Sequence, residues 1–166
     1  MSSILIGSTN LLFNMTIEEF RSKIRPKTQL LINDQSFIVK EVVKFRFDDN
    51  NFYIKCFLND NYVFADDSNE NTFLLVKEVK TPFKQPFSKT LTYDNKEFSY
   101  LYTAHAFAED IQGQEIFKKG DSERFWDYKA KDDSYLSLGI NDKTNERLDF
   151  YGKILYENSR IEIKQN

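Results

Sequence analysis

From Thr28 onward, apolar and polar positions alternate in short runs, and each run is broken by Asn or Asp. A two-residue period predicts strands. "TQLLI" and "FIVKEVVKFRF" flank Asn33-Asp34, and "FYIKCFL" and "YVFA" flank the Asn59 to Asn61 turn. "TFLLVKEV" follows the acidic stretch "DDSNEN", which reads as a solvated turn from Asp66 onward. Beyond "KTPFKQPF" the pattern resumes: "TLTY", a turn at Asp94-Asn95, "EFSYLYTAHAFA", a loop through Gly113, "RFWDYKA", a turn at Asp132-Asp133, "YLSLGI", "RLDFYGKILY" and a charged, edge-like "RIEIK". Asn and Asp tolerate the left-handed backbone that tight hairpins demand, and a chain with five Gly and three Pro needs them to turn.

Ahead of these runs the period lengthens. In "NMTIEEFRSKIRP", Thr16 and Glu19 form a capping box, Ile17, Phe20 and Ile24 share one helical face, and Pro26 ends the helix. So short a helix is stable only if its apolar face docks. The preceding "ILIGSTNLLF" is apolar enough to be expected in ordered packing as well.

The strand-like runs repeat in order. Phe37 matches Phe98 at an offset of 98 − 37 = 61, Phe52 matches Phe125 at 125 − 52 = 73, and Phe73 matches Leu148 at 148 − 73 = 75. This self-similarity predicts a mainly β protein, α+β at most, built from two similar antiparallel β modules with one short N-terminal helix. Residues 1–26 form the arm and helix, 27–80 the first module and 81–166 the second. The two modules pack as half-barrels or as one strongly bent sheet, because each alone buries little surface. "KTPFKQPF" is the linker between them.

The run "LTYDNKEFSYLY…GQEIF…KGD…WDYKA…YLSLGI…ERLDFYGKIL" resembles a bacterial family of unknown function, the domain family numbered 4178. Tyr93 to Phe98 correspond to its strand–turn–strand opening. Gln114 to Asp121, Asp127-Tyr128, Leu136 to Leu138, and Phe150 to Lys153 correspond to its later motifs. Asn or Asp stands in both hairpin turns where the family usually has glycine. The family has no established activity. Its members are encoded beside phage-shock-type membrane-coat proteins and small membrane proteins, which implies by association an accessory role in membrane stress or the envelope.

Composition removes several functional classes. The 166 residues carry 23 basic and 26 acidic side chains, a net charge of −3, with no Lys/Arg block, so a nucleic-acid partner is not expected. One cysteine excludes an internal disulfide and suits a reducing compartment. No secretory signal and no membrane-length apolar stretch is read, so the expected location is cytoplasmic, without membrane insertion.

Catalytic and metal chemistry find little support. His105 is the sole imidazole and Cys56 the sole thiol, and nothing in the sequence places them together. One His and one Cys do not make a zinc site, and "DDSNEN" lacks the spacing of a calcium loop. The carboxylate pairs Asp48-Asp49, Asp66-Asp67 and Asp132-Asp133 are adjacent in sequence and so point apart. No enzyme activity, cofactor or metal is expected.

What remains is binding. Trp126 and Tyr128 share one face of "RFWDYKA", with Phe125 and Asp127 on the other. Trp and Tyr are frequent interface anchors, although Trp126 and its counterpart Tyr53 fit a core equally well. Phe20 is the fourth candidate, as the centre of a docking helix. The expected function is a non-enzymatic protein-interaction module, an accessory of a membrane-associated stress or envelope system. The alternative is an immunity protein that binds a toxin or phage component.

Overall fold

The structure, a computed structural model, describes residues 15–113, 117–156 and 158–165. The "ILIGSTNLLF" arm and Gln114 to Ile116 of the family-like motif lie outside them. One helix, α1 (Ile17–Lys23), precedes eleven strands. These are β1 (Gln29–Ile32), β2 (Gln35–Phe47), β3 (Phe52–Leu58), β4 (Tyr62–Asp67), β5 (Thr72–Val79), β6 (Thr90–Tyr93), β7 (Lys96–Gly113), β8 (Ser122–Lys129), β9 (Ser134–Asn141), β10 (Arg147–Leu155) and β11 (Ile161–Lys164).

The turns obey the Asn/Asp expectation. Asn33 and Asp34, and again Asp94 and Asn95, all have positive φ. Such mirror-image turns match the right-handed twist of the strands they join. Two stretches differ from the sequence reading. The chain through Gly113 continues β7 instead of looping, because it pairs with β2. Asp66 is not in a solvated turn. It is a buried residue of β4 whose carboxylate accepts from Arg21 Nε at 2.7 Å and from the Ile54 amide at 3.2 Å. A charge buried in a strand requires such partners, and α1 supplies the main one.

The strand order closes on itself. β2-β3-β4-β5-β10-β9-β8-β7 returns to β2 through antiparallel β2–β7 pairing, giving an eight-stranded antiparallel barrel. The N-terminal part of β2 extends beyond it to carry β1 and β11, and that of β7 carries β6. β11 is a sheet edge, as its charged alternation indicates.

The two halves share one strand order, β1 to β5 and β6 to β10. Each has a bulge at the same place, Lys40 in β2 and Leu101 in β7, at 101 − 40 = 61. The pairing also corrects the sequence match. Val39 pairs with Leu58 as Tyr100 pairs with Tyr128, so Leu58 corresponds to Tyr128, at an offset of 128 − 58 = 70. Phe52 therefore corresponds to Ser122 and not to Phe125, and Trp126 corresponds to Cys56 and not to Tyr53. Tyr62 pairs with Lys77 as Leu136 pairs with Tyr151, an offset of 151 − 77 = 74 in place of 75. The sequence match was drawn to similar aromatics, whereas the ladders register on the bulge. Two pairs of equivalent residues, Arg46 with Phe107 and Lys77 with Tyr151, lie opposite one another at the two seams. A pseudo-twofold axis therefore passes through both seams, across the barrel.

Both outer faces are covered. On the first module, Phe20 of α1 sits edge-on to Phe64 and Phe73, with centroids at 5.3 and 5.4 Å. On the second, the connector 80–89 takes the helix's place. Phe87 packs on Trp126 at 5.0 Å, and Arg147 donates to the Phe83 carbonyl at 2.6 Å. At the β5–β10 seam a Cβ on Gly152 would lie 2.1 Å from the Leu75 carbonyl oxygen and 2.5 Å from Val76 Cα. Only backbone movement relieves that contact. Gly152→Ala should therefore cost about 3 kcal/mol, the upper end of overpacking, in a urea titration. A loss under about 0.5 kcal/mol would mean that the seam yields freely.

Candidate functional site

Barrel closure turns one face of every strand inward. A cavity of about 590 Å³ results, lined by residues of all eight barrel strands, β2 contributing Phe47. It reaches the surface beside the β2–β3 turn at Asp48 to Asn51 and the β4–β5 turn at Ser68 to Glu70. The other end is plugged. There the β7–β8 connection is the pseudo-twofold counterpart of the short β2–β3 turn and is longer by 70 − 61 = 9 residues. Its Phe117 is buried edge-on to Phe45 at 5.3 Å and against Phe57 at 5.5 Å, and its amide donates to the buried Glu41 carboxylate at 3.3 Å. One inserted loop thus makes a closed floor, and the short turn leaves a mouth.

The walls are unequal because equivalent positions carry different side chains. Val43 and Phe45 of β2 correspond to Ala104 and Ala106 of β7, and Phe57 corresponds to Asp127. At these positions the first module contributes bulk, and the second contributes space and a carboxylate. Near the floor, Lys55 Nζ lies 3.5 Å from Glu123 Oε1 and 4.4 Å from the centre of the Phe150 ring. Both partners of this ion pair are buried.

Nearer the mouth, buried Asp127 accepts from the Tyr135 hydroxyl and, at 2.6 Å, from the Ser137 hydroxyl. Burial pushes its carboxyl up to about 6, against the opposing pull of these hydroxyls, Tyr102 and Lys55. Burial likewise raises the phenols of Tyr53, Tyr102 and Tyr135, with Asp127 adding to each.

Of the four binding candidates singled out in the sequence, Trp126, Tyr128, Tyr53 and Phe20, only Tyr53 lines the lumen. Phe20 is buried under α1, Tyr128 is buried on the outer face with its hydroxyl on the Ser88 carbonyl at 2.8 Å, and Trp126 lies beside Phe87. The four do not form one surface. Lys55, Glu123 and Asp127 were missed. The available signal was charge at in-phase positions of strands whose other residues are apolar, and alternation alone assigns such positions to solvent.

His105 and Cys56 are apart. Cys56 is wholly buried among the first module's outer apolar residues, which pushes its thiol up. His105 bridges two turns on the outside, its Nδ1 3.0 Å from Asp48 and its Nε2 2.7 Å from Asp142. The hydrogen bond with Asp48, aided by Asp142, raises its pKa above the ordinary value. The stabilisation is therefore fully present below about pH 6.5 and is lost as pH rises through the higher folded-state value. His105→Gln should destabilise by no more than about 1 kcal/mol, since the site is solvent-screened, and more at pH 5.5 than at pH 8.5. Equal losses at the two pH values in thermal melts would contradict a charged bridge.

The fold and this cavity define the class: a duplicated, closed antiparallel β-barrel with a ligand-sized lumen plugged at one end. No family model matches the chain, and no similar curated protein or solved structure was found. No helix among the described residues is long and apolar enough to cross a membrane.

Proposed function

We propose that this protein is a non-catalytic receptor that holds a small organic molecule in its barrel lumen. The observation that carries this reading is the cavity of about 590 Å³, open at one end, with aromatic walls and a few convergent polar groups. Its size falls within the roughly 300–1,000 Å³ of ligand pockets. A well-packed eight-stranded barrel fills its interior with side chains, and the small Ala104, which lines the cavity, leaves room here. The non-catalytic part of the reading is supported by the separation of Cys56, buried on the outer face, from His105 at the rim, which is held by Asp48 and Asp142.

Saturation-transfer NMR with neutral, cationic and anionic aromatic fragments tests the reading, comparing wild type with Ala104→Phe, which fills the lumen. At least one fragment class should bind the wild type and lose its signal in a folded variant. If no fragment shows that difference, the lumen is not a binding site.

A second reading keeps the interaction module, serving an envelope or stress complex or neutralising a toxin or phage component. It is favoured by the adjacent exposed side chains Tyr100 and Leu101 at the β7 bulge. Leu101→Asp would then abolish complex formation with the partner while leaving fragment binding intact.

A further inference from the structure

Resting on the lumen reading, we propose that the ligand is an organic cation, an ammonium group on a body of about aromatic-ring size. Asp127 is its counter-ion, and Tyr53, Tyr102 and Phe125 are the walls of its cage.

The first argument is the state of Asp127 among the buried carboxylates. Asp66 has Arg21 at 2.7 Å, Asp149 has Arg147 at 2.8 Å, and Glu123 has Lys55 at 3.5 Å. Asp127 is as deeply buried, 4% exposed, yet its hydrogen bonds come only from neutral hydroxyls and it has no ion pair among the described residues. A buried carboxylate without a cation is costly. Here it faces a cavity that opens to solvent.

The second argument is that the lumen already holds one ammonium by the same chemistry. Lys55 Nζ lies 4.4 Å from the Phe150 centroid, 5.5 Å from Phe45, 5.7 Å from Phe57 and 5.9 Å from Phe117, with the Glu123 carboxylate as counter-ion. An aromatic box around a cation is a recurrent device for ammonium recognition. The outer half repeats the ingredients around Asp127. Phe125 lies edge-on to both Tyr53 and Tyr102, each at 6.2 Å between centroids. Among the described residues nothing hydrogen-bonds the Tyr53 hydroxyl, although it lines the cavity.

The third argument is the field. Seven carboxylates line the cavity and its rim with Lys55, Arg124 and His105, and Arg21 offsets Asp66 from outside, so acidic groups remain in excess. Such a mouth attracts cations and repels anions.

The experiment compares phenyltrimethylammonium, its neutral isostere tert-butylbenzene, and benzoate, by ligand-observed NMR on the full chain. The cation should bind at least about tenfold tighter than the isostere, a difference of roughly 1.4 kcal/mol, and benzoate should not bind. Asp127→Asn should remove that advantage. Lowering the pH of wild type from 7.5 to 5 should also reduce it and needs no variant, because Asp127 takes up its proton near pH 6. The groups facing Asp127 are Tyr135 and Ser137 of β9, Tyr102 of β7, Tyr53 and Lys55 of β3, and Glu123 of β8; His105 at the rim also gains positive charge as the pH falls, so Asp127→Asn is the variant that isolates Asp127.

If the isostere binds as tightly as the cation and Ala104→Phe abolishes both, the cation class is wrong and the lumen reading survives. If the cation's advantage persists in Asp127→Asn and at pH 5, Asp127 is not the counter-ion. If Ala104→Phe changes none of the binding, the lumen reading itself fails.

Discussion

Lys55→Ala is expected to lower the unfolding free energy by about 3–5 kcal/mol, a large share of the stability of a domain this size. Lys55 and Glu123 are both buried, facing each other at 3.5 Å across the lumen. Removing the ammonium leaves a carboxylate walled by rings, and the loss measured is chiefly the cost of that orphaned charge. The double variant Lys55→Met/Glu123→Leu separates the two effects, because it removes both charges and keeps most of the volume. It should recover to within about 1 kcal/mol of wild type or exceed it, as buried pairs replaced by apolar residues often do. Urea titrations of the single and double variants decide the matter. A single-variant loss below about 1 kcal/mol would mean that water enters freely enough to solvate Glu123. A double variant as unstable as the single would mean that the pair itself stabilises the barrel.

Phe20→Ala should cost a similar amount, about 3–5 kcal/mol, at the opposite side of the wall. Phe20 is fully buried and is edge-on to both Phe64 and Phe73, themselves stacked at 5.0 Å. The helix has seven residues and cannot persist without that contact. Arg21 on the same helix neutralises Asp66, so undocking also strands a buried carboxylate. The effect should therefore exceed that of Phe87→Ala on the second module, because Phe87 is only partly buried and its connector is held separately by Arg147 and Asp149. Thermal melts that rank Phe87→Ala as the more damaging change would show that the connector, and not the helix, is the main outer clamp.

Much of this fold was written locally. The Thr16 N-cap forms, with the Glu19 amide donating to the Thr16 hydroxyl at 3.0 Å and that hydroxyl donating to the Glu19 carboxylate at 3.3 Å. Every hairpin that was placed on Asn or Asp turns there. The Phe37–Phe98 equivalence is correct because both residues follow the same two-residue turn, which sets register over a few residues. The matches further along drifted by three residues and by one, since nothing local counts the length of the β7–β8 connection.

By itself, then, the sequence determined the helix, the strands, the turns that join neighbours and the fact of two similar modules, because each depends on residues a few positions apart. The tertiary structure alone decided that the sheet closes. β2 meets β7 and β5 meets β10 across 59 residues or more, 106 − 47 = 59 being the shortest, and such contacts leave no periodic trace. Closure also decided which face is inside. The alternation in β8 correctly separates Phe125 and Asp127 from Trp126 and Tyr128, but an antiparallel strand with both faces covered gives no sign of which one encloses a lumen. For that reason Tyr128 looked like a surface anchor, while Lys55, Glu123 and Asp127 looked like residues facing water. Closing the barrel buried the three charged residues, the covered outer face buried Tyr128, and closure alone brought the carboxylate of Asp127 to an aromatic cavity.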